Sequence, residues 1–136
     1  MKIELLPIDS IHIFPDNARL HSGKQIEQIA KSIERCGFVD PILVDEGGLI
    51  IAGHGRLEAA RRTEMRKVPV IRLSHLTDAE KRILRLAANK ISENAGWNPQ
   101  LLAAELQFLS NLDVDFDLTV TGFETAEIDL LLHINN

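Results

Sequence analysis

The 136-residue chain has one cysteine, one tryptophan, five phenylalanines and no tyrosine. A single cysteine, Cys36, excludes an internal disulfide and agrees with a reducing compartment. So few aromatics leave Leu, Ile and Val to fill the core, and an apolar content of 45% is enough for one. No apolar run has the length of a membrane span, and the first residues lack a basic-then-apolar signal pattern. The expectation is a cytoplasmic protein with no membrane association. His12, His21, His75 and His133 show no zinc spacing with one another or with Cys36.

One sign of charge is missing from the last third of the chain. Residues 91–136 contain no Lys or Arg and eight Asp/Glu, whereas residues 56–90 contain ten Lys/Arg and four Asp/Glu. The net charge of −5 therefore hides a polarity in which one region attracts phosphate and another repels it. Non-specific duplex binding requires many neutralised phosphates, which this balance serves poorly. A single nucleotide requires far fewer cations.

The length fits one compact domain with a small helical extension. Residues 3–14 read as an extended start interrupted by Pro7, followed by a loop through Pro15-Asp16-Asn17-Ala18-Arg19. Ser22 and Gln25 form a capping box ahead of Ile26, Ile29, Ala30 and Ile33 at helical spacing, with Gly37 as the stop. Ile42-Leu43-Val44 and Leu49-Ile50-Ile51 flank a turn and predict a hairpin. A helix over 56–62 and a short strand over 68–71 follow, the latter expected at an edge or a strand start because of Pro69. Thr77 and Glu80 open a helix to about Ile91, Asn98-Pro99 opens another to about 110, and a last helix spans about Thr125 to His133. The composition shift divides a mixed α/β body, residues 1–91, from an acidic helical end, residues 92–136.

The densest signal is Leu49-Ile50-Ile51-Ala52-Gly53-His54-Gly55-Arg56-Leu57-Glu58-Ala59-Ala60-Arg61-Arg62. It reads as a buried strand, a glycine turn and a helix start. Free N–H groups of a first helical turn point outward and attract anions, and Arg56 adds a fork of donors. The plainer reading is a βα turn with a solvated arginine. Cys36, at the end of an apolar helix, reads as a small core residue rather than a nucleophile. Asp113, Asp115 and Asp117 alternate like a fragment of a calcium loop but lack its glycine and terminal glutamate, so a solvated acidic loop is the better reading.

Leu6-Pro7-Ile8, Pro15-Asp16-Asn17-Ala18-Arg19, Cys36-Gly37-Phe38, Pro41-Ile42-Leu43-Val44, Ala52-Gly53-His54-Gly55-Arg56 and Val68-Pro69-Val70-Ile71 occur in an order that resembles the N-terminal domain of the ParB/sulfiredoxin superfamily. Leu86-Ala87-Ala88-Asn89-Lys90, Trp97-Asn98, Glu105-Leu106, Thr121-Gly122-Phe123 and Glu127-Ile128-Asp129 extend the resemblance. This later set is most similar to ParB-like domains that precede DNA methyltransferases in phage and bacterial proteins. The resemblance implies an α/β (α+β) fold, a small mixed sheet flanked by helices, with a helical C-terminal segment.

It also implies roles. Gly53, His54, Gly55 and Arg56 would bind nucleotide phosphates, with Asn89 and Arg19 as further contacts and Asn17 beside Arg19. His54 departs from the acidic residue common at this place in chromosome-partitioning ParB proteins. Sulfiredoxins carry their reactive cysteine there, so redox chemistry of that type is rejected. Asn89 matches the asparagine of a glutamate-asparagine pair that holds the metal on a bound nucleoside triphosphate. Ala88 stands in the glutamate's place, and Glu93, four residues beyond Asn89, is the substitute candidate for Mg²⁺. The expected ligand is CTP or ATP, with Mg²⁺ as a potential companion.

These readings converge on a nucleotide-binding regulatory module that serves DNA modification or segregation. DNA would be reached through a partner or a fused domain, a DNA methyltransferase being the expected one, and an oligomer is compatible with the chain. It carries no methyltransferase motif of its own. Enzyme activity stays open. The alternatives are a ParB-like metal-dependent nuclease, disfavoured by the lack of clustered carboxylates near the basic stretch, kinase chemistry, for which no catalytic glutamate can be mapped, and a protein-interaction module without ligand.

Overall fold

The computed structural model describes residues 2–15, 21–112 and 117–134. Two compact units divide the chain, Met1–Asn94 and Ala95–Asn136. The first carries β1 (Ile3–Pro7), α1 (Gly23–Cys36), β2 (Ile42–Asp45), β3 (Ile50–Ala52), α2 (His54–Arg62), β4 (Lys67–Leu73) and α3 (Asp78–Asn94). The second carries α4 (Pro99–Asn111) and α5 (Thr125–Leu132). The fold is the expected mixture of a small sheet and helices.

The sheet order is β1-β4-β2-β3. β4 runs antiparallel to β1 and parallel to β2, and β2 runs antiparallel to β3. β4 is thus an interior strand, which corrects the edge or strand-start position expected for Val68–Ile71. Pro69 is tolerated because it faces Leu5 on β1, while pairing with β2 begins one residue later, at Val70. A proline costs a sheet only the donor it lacks.

Ile42 and Val44 of β2, Ile50 of β3 and Val68 and Val70 of β4 form the core with Leu57 and Ala60 of α2. Side chains alternate along a strand, so Leu43 and Ile71, paired in register, lie on the opposite face of the sheet. α1 packs on α2 through Ile26, Ala30 and Ala59, with Ile29 and Ile33 beside them. The helical stripe read in the sequence is the one that is buried.

The β2–β3 turn closes around Asp45, whose Oδ1 accepts the N–H groups of Gly47 and Leu49, both at 2.9 Å. Gly48 (φ 83°) is required there, because a Cβ would sit 2.9 Å from the Ser10 carbonyl oxygen. Lys81 on α3 reaches this turn, 3.3 Å from Asp45 Oδ2 and 2.9 Å from Glu46 Oε1. Burial pushes the Asp45 carboxyl up, but the Leu49 and Gly47 N–H groups and Lys81 outweigh it and hold it below its ordinary range. Arg85, further along α3, donates to the Ile50 carbonyl (3.4 Å) and lies 3.8 Å from the centre of the Phe14 ring. These ties fix α3 beside the end of β3.

Caps follow the sequence closely. Thr77 and Glu80 exchange both bonds of a capping box, 2.9 and 3.2 Å. Asn98 caps α4 through the Leu101 N–H at 3.0 Å. At α1, Ser22 Oγ accepts the Gln25 N–H at 3.0 Å, but the Gln25 side chain turns to the His21 ring. Cys36 is exposed, which corrects the expectation of a core residue: it is the last residue of α1, beyond the part of the helix that Ile26 and Ala30 bury. In the second unit Ala103, Leu106 and Ile128 are buried, and Trp97 and Phe123 meet with ring centres 5.3 Å apart.

No helix among the described residues is long and apolar enough to cross a membrane. Arg19, Asn17, Asp113 and Asp115 lie outside the described residues.

Candidate nucleotide site

β3 ends at Ala52 and α2 begins at His54, leaving Gly53 alone to make the turn. Gly53 has φ 113°, a left-handed conformation that glycine adopts without strain. A Cβ here would lie 3.1 Å from both Arg56 Nη2 and Ile42 Cγ1. At Gly55 a Cβ would lie 3.1 Å from the His21 ring and 3.2 Å from Ile29 Cδ1. Both glycines therefore serve close packing. Gly55 lets the start of α1 approach the first turn of α2, a reason the sequence reading did not supply.

Arg56 does not simply project into solvent. Its Nη2 donates to the Pro41 carbonyl at 3.1 Å, and its Nη1 lies 3.3 Å from Asp40 Oδ2. Its Nε is buried and meets no hydrogen-bond partner among the described residues. His54 Nε2 is likewise buried without one. Buried polar atoms are ordinarily satisfied, and here two without a partner among the described residues fall within one helical turn. Burial first, then the nearby His21 and Arg85, push the His54 imidazole below its ordinary value of 6.5.

A cavity of about 440 Å³ opens over this turn. Gly53, His54, Gly55 and Arg56 line one side, Ala88 and Asn89 of α3 another, and His21 and Gln25 a third, with Asp40 and Pro41 at the rim and Leu43 and Ile71 from the open sheet face. Of the residues expected at a ligand, five meet here. Asn89 Nδ2 donates to the Arg85 carbonyl at 3.0 Å, which orients its amide. Glu93 does not line the cavity and lies 3.6 Å from Lys90 Nζ. Among the described residues no group of three or more His, Cys, Asp or Glu is arranged to hold a metal ion.

Sequence reasoning missed His21, Gln25 and Asp40. The signal for Asp40 was present: an antiparallel hairpin that pairs Leu43 with Ala52 must bring 40–41 beside 53–56. Gln25 was hidden by its place in a capping pattern. His21 and Gln25 are spaced four apart, and His21 Nδ1 lies 3.1 Å from Gln25 Oε1.

A strand, a glycine turn and a helix beside a cavity of this make-up agree with the family models. Residues 1–90 match the ParB N-terminal domain. The chain belongs to the ParB N-terminal domain family. Residues 100–136 match the ParB-methyltransferase HTH domain. The ParB-like nuclease domain-containing protein YnaK of Escherichia coli is 47% identical over 81 residues, which is 60% of this chain and 93% of that protein. Among solved structures, the C-terminally truncated chromosome-partitioning protein ParB from Caulobacter crescentus, complexed with CTP-gamma-S, is 25% identical with a TM-score of 0.71. The match covers 82% of this chain and 64% of that one, so the chain spans under two thirds of that structure's length. The same protein complexed to the centromeric parS site is similar in fold, with 21% identity and a TM-score of 0.55 over 95% of this chain and 70% of that one.

Proposed function

We propose that this ParB-family chain is a nucleotide-binding regulatory module serving DNA modification or segregation, with the ligand's phosphates at Gly53–Arg56. The observation that carries the reading is the cavity of about 440 Å³ in which this turn, with its orphaned His54 Nε2 and Arg56 Nε, meets Asn89. Its volume falls in the range of small-molecule sites, roughly 300–1,000 Å³. The first turn of α2 supplies N–H groups, Arg56 a positive charge, and Asn89 an amide able to donate and accept. A solved family member holding a CTP analogue makes CTP the first ligand to try, with ATP beside it. Glu93, outside the cavity wall, has no part in this reading. The match of residues 100–136 to a methyltransferase-associated domain supports a DNA methyltransferase as partner.

The nuclease reading draws on a relative's name. Phosphodiester cleavage by metal ions calls for clustered carboxylates, and among the described residues the cavity wall holds one, Asp40, already paired with Arg56. Thermal shift with CTP, ATP, GTP and their diphosphates, with and without Mg²⁺, tests the proposal, since a ligand of the folded state raises the midpoint by mass action. A shift with one nucleotide, lost in Arg56→Ala, is the expected result. No shift with any of them would remove the proposal.

A further inference from the structure

We propose that His21 and His54 form a proton-linked cradle for the ligand's phosphate, so that an anion enters this cavity together with a proton. The inference rests on the nucleotide reading above and names what regulates that site.

The fixed positive charge in the cavity is smaller than its residue types suggest. Among the described residues Arg56 is the arginine on the wall, and Asp40, also on the wall, already sits 3.3 Å from its guanidinium. Pro41 takes a second of its donors at 3.1 Å. A multiply charged phosphate would meet a cation that already has a carboxylate beside it.

The two imidazoles are the groups able to make up the difference. His21 Nδ1 lies 3.1 Å from Gln25 Oε1, which leaves Nε2 as the ring nitrogen outside that contact. The His21 ring lies where a Gly55 Cβ would come within 3.1 Å of it, over the first turn of α2. His54 Nε2 is buried there with no partner among the described residues.

The charged and titratable groups around this pair can be named. Among the described residues His21 comes from just before α1, the neutral Gln25 from its first turn, Asp40 from the segment before β2, and Arg56 from α2 itself. Glu58, one turn further on α2, is paired with Arg61. From α3, Arg85 acts on His54 through space and Asn89 lines the wall. Without an anion, burial and the positive neighbours His21 and Arg85 keep His54 uncharged near neutrality. A phosphate reverses the sign of that surrounding field, and one or both rings then bind a proton. By linkage, affinity rises as pH falls, roughly threefold to tenfold per pH unit for one proton taken up.

Calorimetry of the full chain with CTP at about pH 6.3, in MES and in bis-Tris, tests this, because the two buffers release protons with different heats. Comparison of the wild type with His54→Gln and His21→Gln subtracts the nucleotide's own titration. Thermal melts confirm that each variant is folded. The expected result is net proton uptake in the wild type that is reduced in at least one variant, with pyrophosphate reproducing it and cytidine not. Measurable binding with the same proton count in wild type and both variants overturns the cradle while leaving the nucleotide site standing. No binding heat in either buffer overturns the nucleotide reading, and the cradle with it.

Discussion

The two units of this chain solve different problems with different residues. The first, Met1–Asn94, buries an Ile/Val/Leu core and pairs several of its Lys and Arg around it. Lys81 lies against Asp45 and Glu46, Arg72 against Glu4 and the Glu46 carbonyl, and Arg56 against Asp40. The second, Ala95–Asn136, has no Lys or Arg and buries Ala103, Leu106 and Ile128 among its described residues. Leu101, Phe108 and Leu130 of this unit are exposed. The difference teaches that a match to an HTH domain can come without the cationic side chains that a duplex's phosphates attract. A helical reader of DNA holds its register through cations on phosphates, and residues 95–136 have none to offer.

The largest way to break the comparison is through the cores. Leu57→Ala, in the centre of the first unit, should cost about 2–5 kcal/mol in denaturant titration, as deletions in close-packed cores do. The same titration should leave the second unit's signal, followed at Trp97, little changed. Arg56→Ala comes next, weakening CTP by roughly 1.5–3 kcal/mol in calorimetry, the range for a charge-assisted hydrogen bond. Because Arg56 also holds the Asp40–Pro41 segment, a small stability loss of up to about 1 kcal/mol should accompany it. Asn98→Ala removes the cap of α4 and should cost about 1 kcal/mol, confined to the second unit's transition.

A pH titration of stability separates the units more finely. His54 binds its proton less readily in the folded protein than in the unfolded chain, whose value is near 6.5. Its contribution is therefore complete above about pH 6.5 and is lost as the pH falls below that value towards the lower folded one. Asp45, also held below its ordinary 3.8, contributes above that value and loses it only in stronger acid. Urea midpoints measured between about pH 7.5 and 5.5 should fall in the wild type and fall less in His54→Gln, with no counterpart in the second unit. The smallest effect concerns duplex DNA. Random duplex should bind weakly with a shallow salt slope, as expected when few phosphates are neutralised.

Much of this was legible in the residues themselves. The stripe Ile26, Ile29, Ala30, Ile33, the caps at Ser22, Thr77 and Asn98, and the strand-turn-helix at Gly53 are local patterns, and local patterns are written locally. What escaped depends on partners distant in sequence. Pro69 sits inside the sheet because β2 pairs only from Val70 onward, which no window around Pro69 reveals. Arg56 is engaged by Asp40 and Pro41, and Gly55 is small for the sake of His21 and Ile29. Cys36 followed the apolar stripe in sequence but stands at the exposed last position of its helix.

The most direct test of the phosphate turn is a two-dimensional amide NMR titration of the full chain with CTP. The predicted result is a set of shifts at Gly53, His54, Gly55 and Arg56, joined by the side-chain amides of Asn89 and Gln25, with residues 95–136 unmoved. Shifts confined to residues 95–136, or none at saturating CTP, would contradict the account.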